Sequence, residues 1–462
     1  MRLSAHVMLT LQTPPPPHAP TPALTGSIRD FLATRGPTLS ARASAFSSWL
    51  HERIAFGGFP FSKKLLRPPA ATTSLRLADG SVAVGLNFAS QDYLNLSSHP
   101  YIHQAVLDAL QRFGPHSGGA PVLAGAIDLS SELESALAQH LGLSSAVLCP
   151  TGWAAGYGAI RALVRDTDHV VIDQLAHNCL HEGAAASTRN LHLHRHLDLD
   201  HVRLKLASIR ARDRANVILV ITEGLFSMDA DTPDLAGFIA LCRQFNASLL
   251  VDVAHDLGST GPRGTGSIGA QNLLGQVDFV VGSFSKTFAT NGGFIATRDP
   301  ALGDFLRYLA PTTTFSSALA PPQVATALAA LQLIRSNEGD RRRAALLNAA
   351  QALRSALSAH ELSVLGHASP IVPVLVGRDD VARLAARTLS SAGILANLIE
   401  YPAVSRATAR FRLQVMSDHT PAACTAAAHH IAHAIATARS PESVTFRGYG
   451  EAREDTRNSD QK

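Results

Sequence analysis

Seven short apolar runs, separated by longer stretches of helical pattern, constrain the fold of this chain more than any other feature. They are SAVLCP (Ser145–Pro150), HVVIDQ (His169–Gln174), NLHLHRH (Asn190–His196), NVILVITEG (Asn216–Gly224), SLLVDVAH (Ser248–His255), DFVVGSF (Asp278–Phe284) and GGFIATR (Gly292–Arg298). Stretches such as LSSELESALAQHLG, with a Ser/Glu helix start, and DLAGFIALCRQFNA supply the helical periodicity. Near-continuous apolar runs suit strands buried on both faces, and strands alternating with helices suit a mostly parallel sheet between helix layers. The expectation is an α/β fold with a seven-stranded, mostly parallel sheet. Ligands of such sheets bind at the carboxyl ends of the strands, so the residues just after each run are the first candidates for chemistry.

The rest of the chain divides around that centre. Residues 1–26 include TPPPPHAPTPA, a polyproline-type segment unable to pack a core and expected to be disordered. Residues 27–98 form an N-terminal segment expected to pack on both domains, 99–320 a large domain, 321–440 a smaller C-terminal α/β domain with Ala-rich helices and strands such as SPIVPVLVG, and 441–462 a polar tail. At 462 residues the chain is long enough for two or three domains, and its net charge of +4 is too mild to read as nucleic-acid binding. No apolar run approaches the roughly 20 residues of a membrane span. Cys149, Cys179, Cys242 and Cys424 form no CxxC pair, which suits a reducing compartment, and no signal peptide is recognisable; a cytoplasmic protein is expected.

Several strand ends carry suggestive groups. TGWAAGYGA, after the first run, is a small-residue turn opening a helix, where free amides and the helix dipole favour an anion. His177 lies just past the second run, positioned to stack on a flat ring or to fill a core gap. Glu223 and Ser227 fall at the end of the fourth strand-like run. Asp252 follows SLLV and ends the apolar strand of the fifth, with His255 three residues on; a carboxylate there needs a charged partner. Lys286 lies 34 residues beyond Asp252, again at a strand end, where desolvation turns an ammonium toward a nucleophilic amine. Singly, each has a bland reading: an ordinary turn, a core histidine, a capped loop, a snorkelling lysine. Jointly, in this order, they are the parts of a pyridoxal phosphate site. The histidines of HLHRHLDLDH (192–201) invite a metal reading, but they alternate like one polar face of a strand, and no metal site is expected.

At this point the sequence resembles the α-oxoamine synthases, pyridoxal phosphate enzymes of fold type I. The resemblance runs from LNFASQDYLNLSSHP (Leu86–Pro100) to ARFRLQVMSDHT (Ala409–Thr420) and includes SGGAPVLAG, LESALAQHLG, DVAHDLGSTGPRGTG, GSFSKTFATNGG and FSSALAPP. It implies that Lys286 forms the Schiff base with pyridoxal phosphate, that Asp252 pairs with the pyridinium nitrogen, and that His177 stacks on the ring. His255 and Ser227 would reach the ring hydroxyl. Gly152 and Trp153 amides and the Ser283 hydroxyl would hold the phosphate. Ser316 and Ser317 match a hydroxyl pair that reaches the phosphate of the neighbouring subunit, which implies a homodimer with shared sites. Arg412 matches the arginine that binds the amino-acid carboxylate, with Arg410 its neighbouring competitor. The implied reaction condenses a small amino acid with an acyl thioester, on coenzyme A or a carrier protein, and releases carbon dioxide and an α-aminoketone.

The sequence departs from the family pattern in DVAHD, where Val253 and Asp256 are unusual. Gln91 replaces an asparagine, Asn95 a glycine, and Pro121 an arginine found in some members; Gln91 is expected to touch substrate. The competing readings are another fold-type-I enzyme, such as an aminotransferase, aldolase or lyase, and a non-catalytic partner subunit. Retention of Lys286 argues against the second.

Overall fold

The computed structural model describes residues 24–57 and 59–440. The expected loose tail at 441–462 and nearly all of the Pro-rich segment lie outside the described residues. Thirteen strands are present among those described. β1 (Lys64–Leu65), β2 (Thr72–Arg76) and β3 (Val82–Phe88) come first. β4 (Ser145–Cys149), β5 (His169–Asp173), β6 (Asn190–His194), β7 (Ile218–Glu223), β8 (Ser248–Asp252), β9 (Phe279–Ser283) and β10 (Gly293–Thr297) follow the seven apolar runs. β11 (Ile371–Gly377), β12 (Ile394–Ile399) and β13 (Ala409–Gln414) complete the set.

The seven central strands form one sheet in the order β4-β10-β9-β8-β7-β5-β6. β6, β5, β7, β8 and β9 run parallel, and β10 is antiparallel to both its neighbours. Alternate residues feed two separate cores, which is why the runs read as continuously apolar. Val170, Ile172, Leu219 and Ile221 pack in one cluster with Ala155, Ile160 and Leu180 from the helices Gly152–Leu163 and Asn178–Ser187. Val171, Val220, Leu249 and Val251 face the other, with Leu206, Phe238 and Leu331. A strand covered on both faces leaves only its ends for polar chemistry.

The second sheet has the order β1-β2-β3-β12-β13-β11, so strands from the chain's beginning and end share it. β3 runs parallel to β12, and the remaining pairings are antiparallel. The helix Leu39–Ala55 is fastened to this unit by a buried cluster in which Arg53 and Arg383 flank Glu400, at 3.2 and 2.7 Å. Arg383 also donates to the carbonyls of Leu24 and Gly26, within the segment expected to be loose. The helix Pro321–Ile334 packs against the helices Pro100–Phe113 and Asp128–Leu141 of the large sheet's side and against Asn337–Ala359.

Candidate active site

The strand ends of the large sheet gather titratable groups under the second sheet. Glu223 and Asp252 are paired across β7 and β8, and both are buried. Burial raises the carboxyl of Asp252 above its usual range, opposed by the charges of His177 and Lys286. Burial also holds Glu223 well up, and the charge of Asp252 adds to that shift. Neither forms an ion pair with a lysine or arginine side chain within 4 Å among the described residues. Asp252 accepts from the Ala254 amide at 2.8 Å, and Glu223 accepts from the His177 amide at 2.5 Å.

Lys286 follows β9 directly. Burial pulls its ammonium below the ordinary lysine range, while Asp252 and Glu223 pull the other way. Its Nζ makes no hydrogen bond among the described residues. Lys286 lines a cavity of about 610 Å3 together with Ser90, Gln91, Ser285, Asn397 and Gln414. An amine with a depressed pKa, open to a cavity and beside a buried carboxylate, is chemically ready to attack a carbonyl.

Two histidines feel the charges of the same groups, and burial lowers the pKa of both. His177 caps the helix Asn178–Ser187, its Nδ1 taking the Cys179 amide at 3.3 Å and lying 3.0 Å from the Cys179 thiol. Burial lowers its pKa. His255 is buried; its Nδ1 lies 2.9 Å from the Tyr93 hydroxyl, which donates to Gln414 Oε1 at 3.3 Å. Burial pushes His255 well below the usual histidine value, and the charges of Lys286 and Arg412 reinforce this.

The turn after β4 opens a helix with free amides. Thr151 Oγ1 accepts the Ala154 amide at 3.0 Å, leaving the first-turn amides of Gly152 and Trp153 without intrahelical acceptors. A Cβ on Gly152 would lie 2.3 Å from Ser283 Cβ, so only glycine lets this helix start so close to the end of β9. Ser283 Oγ is 2.7 Å from Ser285 Oγ at the same point. The Trp153 ring is half exposed and stacks on Tyr157 at 5.0 Å.

The two arginines of RFRL have different surroundings. Arg410 is buried and paired with Asp229, with a further bond to the Met228 carbonyl at 3.2 Å. Arg412 has no carboxylate partner; its Nη1 lies 3.8 Å from Met228 Sδ, and its buried Nε has no hydrogen bond. Burial lowers its pKa. A desolvated guanidinium fork without an anion suits a ligand carboxylate.

Ser227 is half-buried in the turn after β7, and its hydroxyl makes no hydrogen bond among the described residues. Ser316 and Ser317 lie beside the exposed Phe315 and do not line the cavity of Lys286. The departures from the family pattern also find physical places. Asn95 adopts φ +51°, a left-handed conformation that asparagine tolerates in place of glycine, and its amide meets Asp418 at 2.5 Å. Pro121 opens a single π-helical turn, Pro121–Gly125. Val253 is fully buried, and Asp256 is buried with Oδ2 taking the Ser267 amide at 2.7 Å and Oδ1 unpartnered. Sequence reasoning gave no role to Glu223, Tyr93, Asn397 or Gln414. Tyr93 sat within a quoted motif, but nothing local in the sequence says that it meets His255.

These residues fit pyridoxal phosphate: an unpaired buried carboxylate for a ring N–H, an amine for its aldehyde, open helix-start amides for its phosphate. The sequence profile of the aminotransferase class I and II family matches residues 83–431. The chain is 37% identical to the 8-amino-7-oxononanoate synthase of Citrobacter koseri over 334 residues, covering 72% of this chain and 85% of that protein. It is 34% identical over 363 residues to a Mycobacterium tuberculosis relative, of whose length it spans about half (46%). Among solved structures, it superimposes with TM-score 0.80 and 25% identity on serine palmitoyltransferase from S. paucimobilis, which carries a bound PLP–myriocin aldimine, covering 87% of this chain and 99% of that one. The 8-amino-7-oxononanoate synthase of Francisella tularensis shares the fold, with TM-score 0.65 and 21% identity over 76% of this chain and 98% of that one.

Proposed function

Because the chain belongs to the aminotransferase class I and II family, on its pyridoxal phosphate-dependent α-oxoamine synthase branch, we propose that it condenses a small amino acid with an acyl thioester, with loss of carbon dioxide, to give an α-aminoketone. The observation that carries this reading is the pKa-depressed Lys286 amine on the cavity wall, within reach of the charge of the buried, unpaired Asp252, with the anion-free guanidinium of Arg412 in electrostatic reach of Lys286.

When bound, pyridoxal phosphate supplies an electron sink that acidifies the α-carbon of the amino acid. Lys286 Nζ would hold the cofactor's aldehyde, and as a free amine would serve as general base toward the amino acid's α-proton; such general base action is worth roughly 10²–10⁴-fold. Asp252 would pair with the protonated ring nitrogen. His177 would cover a ring face. His255, oriented by Tyr93, and Ser227 would hold the ring hydroxyl. Gly152, Trp153 and Ser283 would hold the phosphate, and Arg412 the amino-acid carboxylate, while Arg410 is kept from that role by Asp229. Gln91 contacts substrate from the cavity wall.

In this reading residues 99–320 form the cofactor-bearing domain and 321–440 the smaller one, with 27–98 bridging them. Ser316 and Ser317 act in the site of a second copy, and the chain works as a homodimer. Their exposed loop, away from the cavity of their own chain, supports that assignment. No helix among the described residues is long and apolar enough to cross a membrane. Four free, buried cysteines support a cytoplasmic setting.

The test supplies cofactor, an amino acid from the set glycine, alanine and serine, and acyl thioesters, and follows thiol release. Amino-acid-dependent thiol release with formation of an aminoketone is expected. Oxo-acid formation from the amino acid without thiol release would identify an aminotransferase instead.

A further inference from the structure

The turn that follows β7 lies against the two arginines of β13, and they take different parts of it. Arg410 is fixed by the main-chain carbonyl of Met228 at 3.2 Å and by the carboxylate of Asp229. Arg412 meets the same methionine through its side chain, with Nη1 3.8 Å from Met228 Sδ. That contact is the only hydrogen bond of this guanidinium among the described residues, and its buried Nε has none. A guanidinium carries five donors, whereas a thioether sulfur is a weak acceptor. The sulfur therefore touches a cation that it satisfies poorly. It does so from a turn pinned by Arg410 and by the Phe226 amide, which donates to the Asp231 carbonyl at 2.9 Å. The Met228 side chain is half-buried, whereas Met416 is fully buried; Met1 and Met8 lie outside the described residues. All four cysteines are buried, and burial raises the pKa of each thiol, which leaves little reactive thiolate. A thioether needs no deprotonation to be oxidised, so Met228 is the sulfur that an oxidant reaches at this site.

Resting on the function proposed above, we infer that Met228 is a modification site: its oxidation to the sulfoxide by a peroxide gives Arg412 an internal acceptor and closes the place of the amino-acid carboxylate on that guanidinium. With hydrogen peroxide, the sulfur lone pair attacks one oxygen and the O–O bond breaks. The proton on the attacked oxygen passes to the departing hydroxide, so the products are the sulfoxide and water. Sulfur loses two electrons and the peroxide gains them. The new oxygen is a strong acceptor on a side chain already in contact with Nη1. It forms a charge-assisted hydrogen bond where a carboxylate oxygen otherwise binds. Reduction of the sulfoxide by a dithiol, with loss of water and formation of a disulfide, reopens the place.

The test treats wild-type holoenzyme and Met228→Leu with hydrogen peroxide and quantifies the added oxygen on each methionine peptide by mass spectrometry. Affinity for glycine, alanine and serine is read from the change in the cofactor's visible absorbance, and KM and kcat from thiol release. Treated wild type is expected to carry the oxygen on Met228 and not on Met416. Its affinity for the amino acid is expected to fall about tenfold or more, with KM for the amino acid rising equally and KM for the thioester unchanged. Methionine sulfoxide reductase is expected to restore the affinity. Met228→Leu, compared with its own untreated sample, is expected to keep its affinity through the same treatment. Three results overturn the inference and leave the proposed function standing: unchanged affinity in wild type that carries oxygen on Met228, resistance of Met228 to peroxide that oxidises free methionine, or an equal loss of affinity in Met228→Leu. A wild type whose absorbance no amino acid changes, and that releases no thiol before any peroxide is added, overturns both.

Discussion

Replacing His196 by glutamine separates an electrostatic clip from an inert surface histidine. His196 lies just past β6, with Nδ1 2.9 Å from Asp173 and Nε2 3.0 Å from Asp231. Its ring meets Phe226 edge-on at 4.5 Å. Burial alone would lower its pKa, but the hydrogen bonds to Asp173 and Asp231 overcome this and hold it up at about 10. A histidine raised in the folded state stabilises fully below its unfolded pKa, near 6.5, and loses that contribution as pH rises toward 10. Each pH unit in this window removes about 1.4 kcal/mol, so pH 7 to 9 removes about 3 kcal/mol at full weight. The ring is partly exposed, and solvent screening reduces this to about 1–2 kcal/mol. The assay is urea unfolding of cofactor-free protein at both pH values, for wild type and His196→Gln, so that other titrations cancel in the difference. The wild-type advantage is expected to shrink by about 1–2 kcal/mol between pH 7 and 9. An advantage that is constant or grows with pH refutes the clip. The consequence reaches the site, because Asp231 closes the turn that carries Ser227, Met228 and Asp229.

Gly152→Ala forces a Cβ to within 2.3 Å of Ser283; the helix start must retreat, and pyridoxal phosphate affinity, followed by absorbance titration, should fall at least about tenfold, roughly 1.4 kcal/mol. Arg412→Lys keeps the charge but loses the planar fork, so KM for the amino acid should rise about tenfold or more with the cofactor spectrum unchanged. Arg410→Ala should instead cost about 3 kcal/mol of stability, by leaving Asp229 without its cation. Asp256, raised to about 6 by burial, is a carboxyl whose folded pKa exceeds its unfolded one, so its contribution is favourable at low pH and lost as pH climbs from about 4 to 6. Asp256→Asn should therefore gain about 2 kcal/mol on wild type between pH 4.5 and 7.5 in unfolding experiments; a pH-independent difference would count against a buried, titrating Asp256.

The large sheet was legible because strands covered on both faces leave unbroken apolar strings, and Asp252 and Lys286 stood out as charges at their ends. β2 and β3 were not legible. Their exposed alternate residues, such as Val82 and Val84, give no clean pattern, and the partner that makes β3 a strand, β12, lies some three hundred residues away. The choice between Arg410 and Arg412 was open in the sequence because both lie on β13 two residues apart, hence on one face. Asp229, contributed by a distant turn, decides which guanidinium is occupied. Tyr93 and Gln414 escaped for the same reason: the relay they form with His255 exists only once three distant segments meet. The histidines of 192–201 have individual jobs. His192 stacks on His169, His194 is buried beside Asp173, and His201 accepts the Arg195 amide at 2.9 Å.

The most direct measurement reduces the cofactor-loaded enzyme with borohydride and maps the pyridoxyl group by peptide mass spectrometry. The chain has only five lysines, Lys63, Lys64, Lys205, Lys286 and Lys462. The account predicts one adduct, on the peptide that carries Lys286, and loss of that adduct and of the visible absorbance band in Lys286→Ala. An adduct on Lys63, the other lysine with a depressed pKa, or no adduct at all in protein supplied with cofactor, would contradict it.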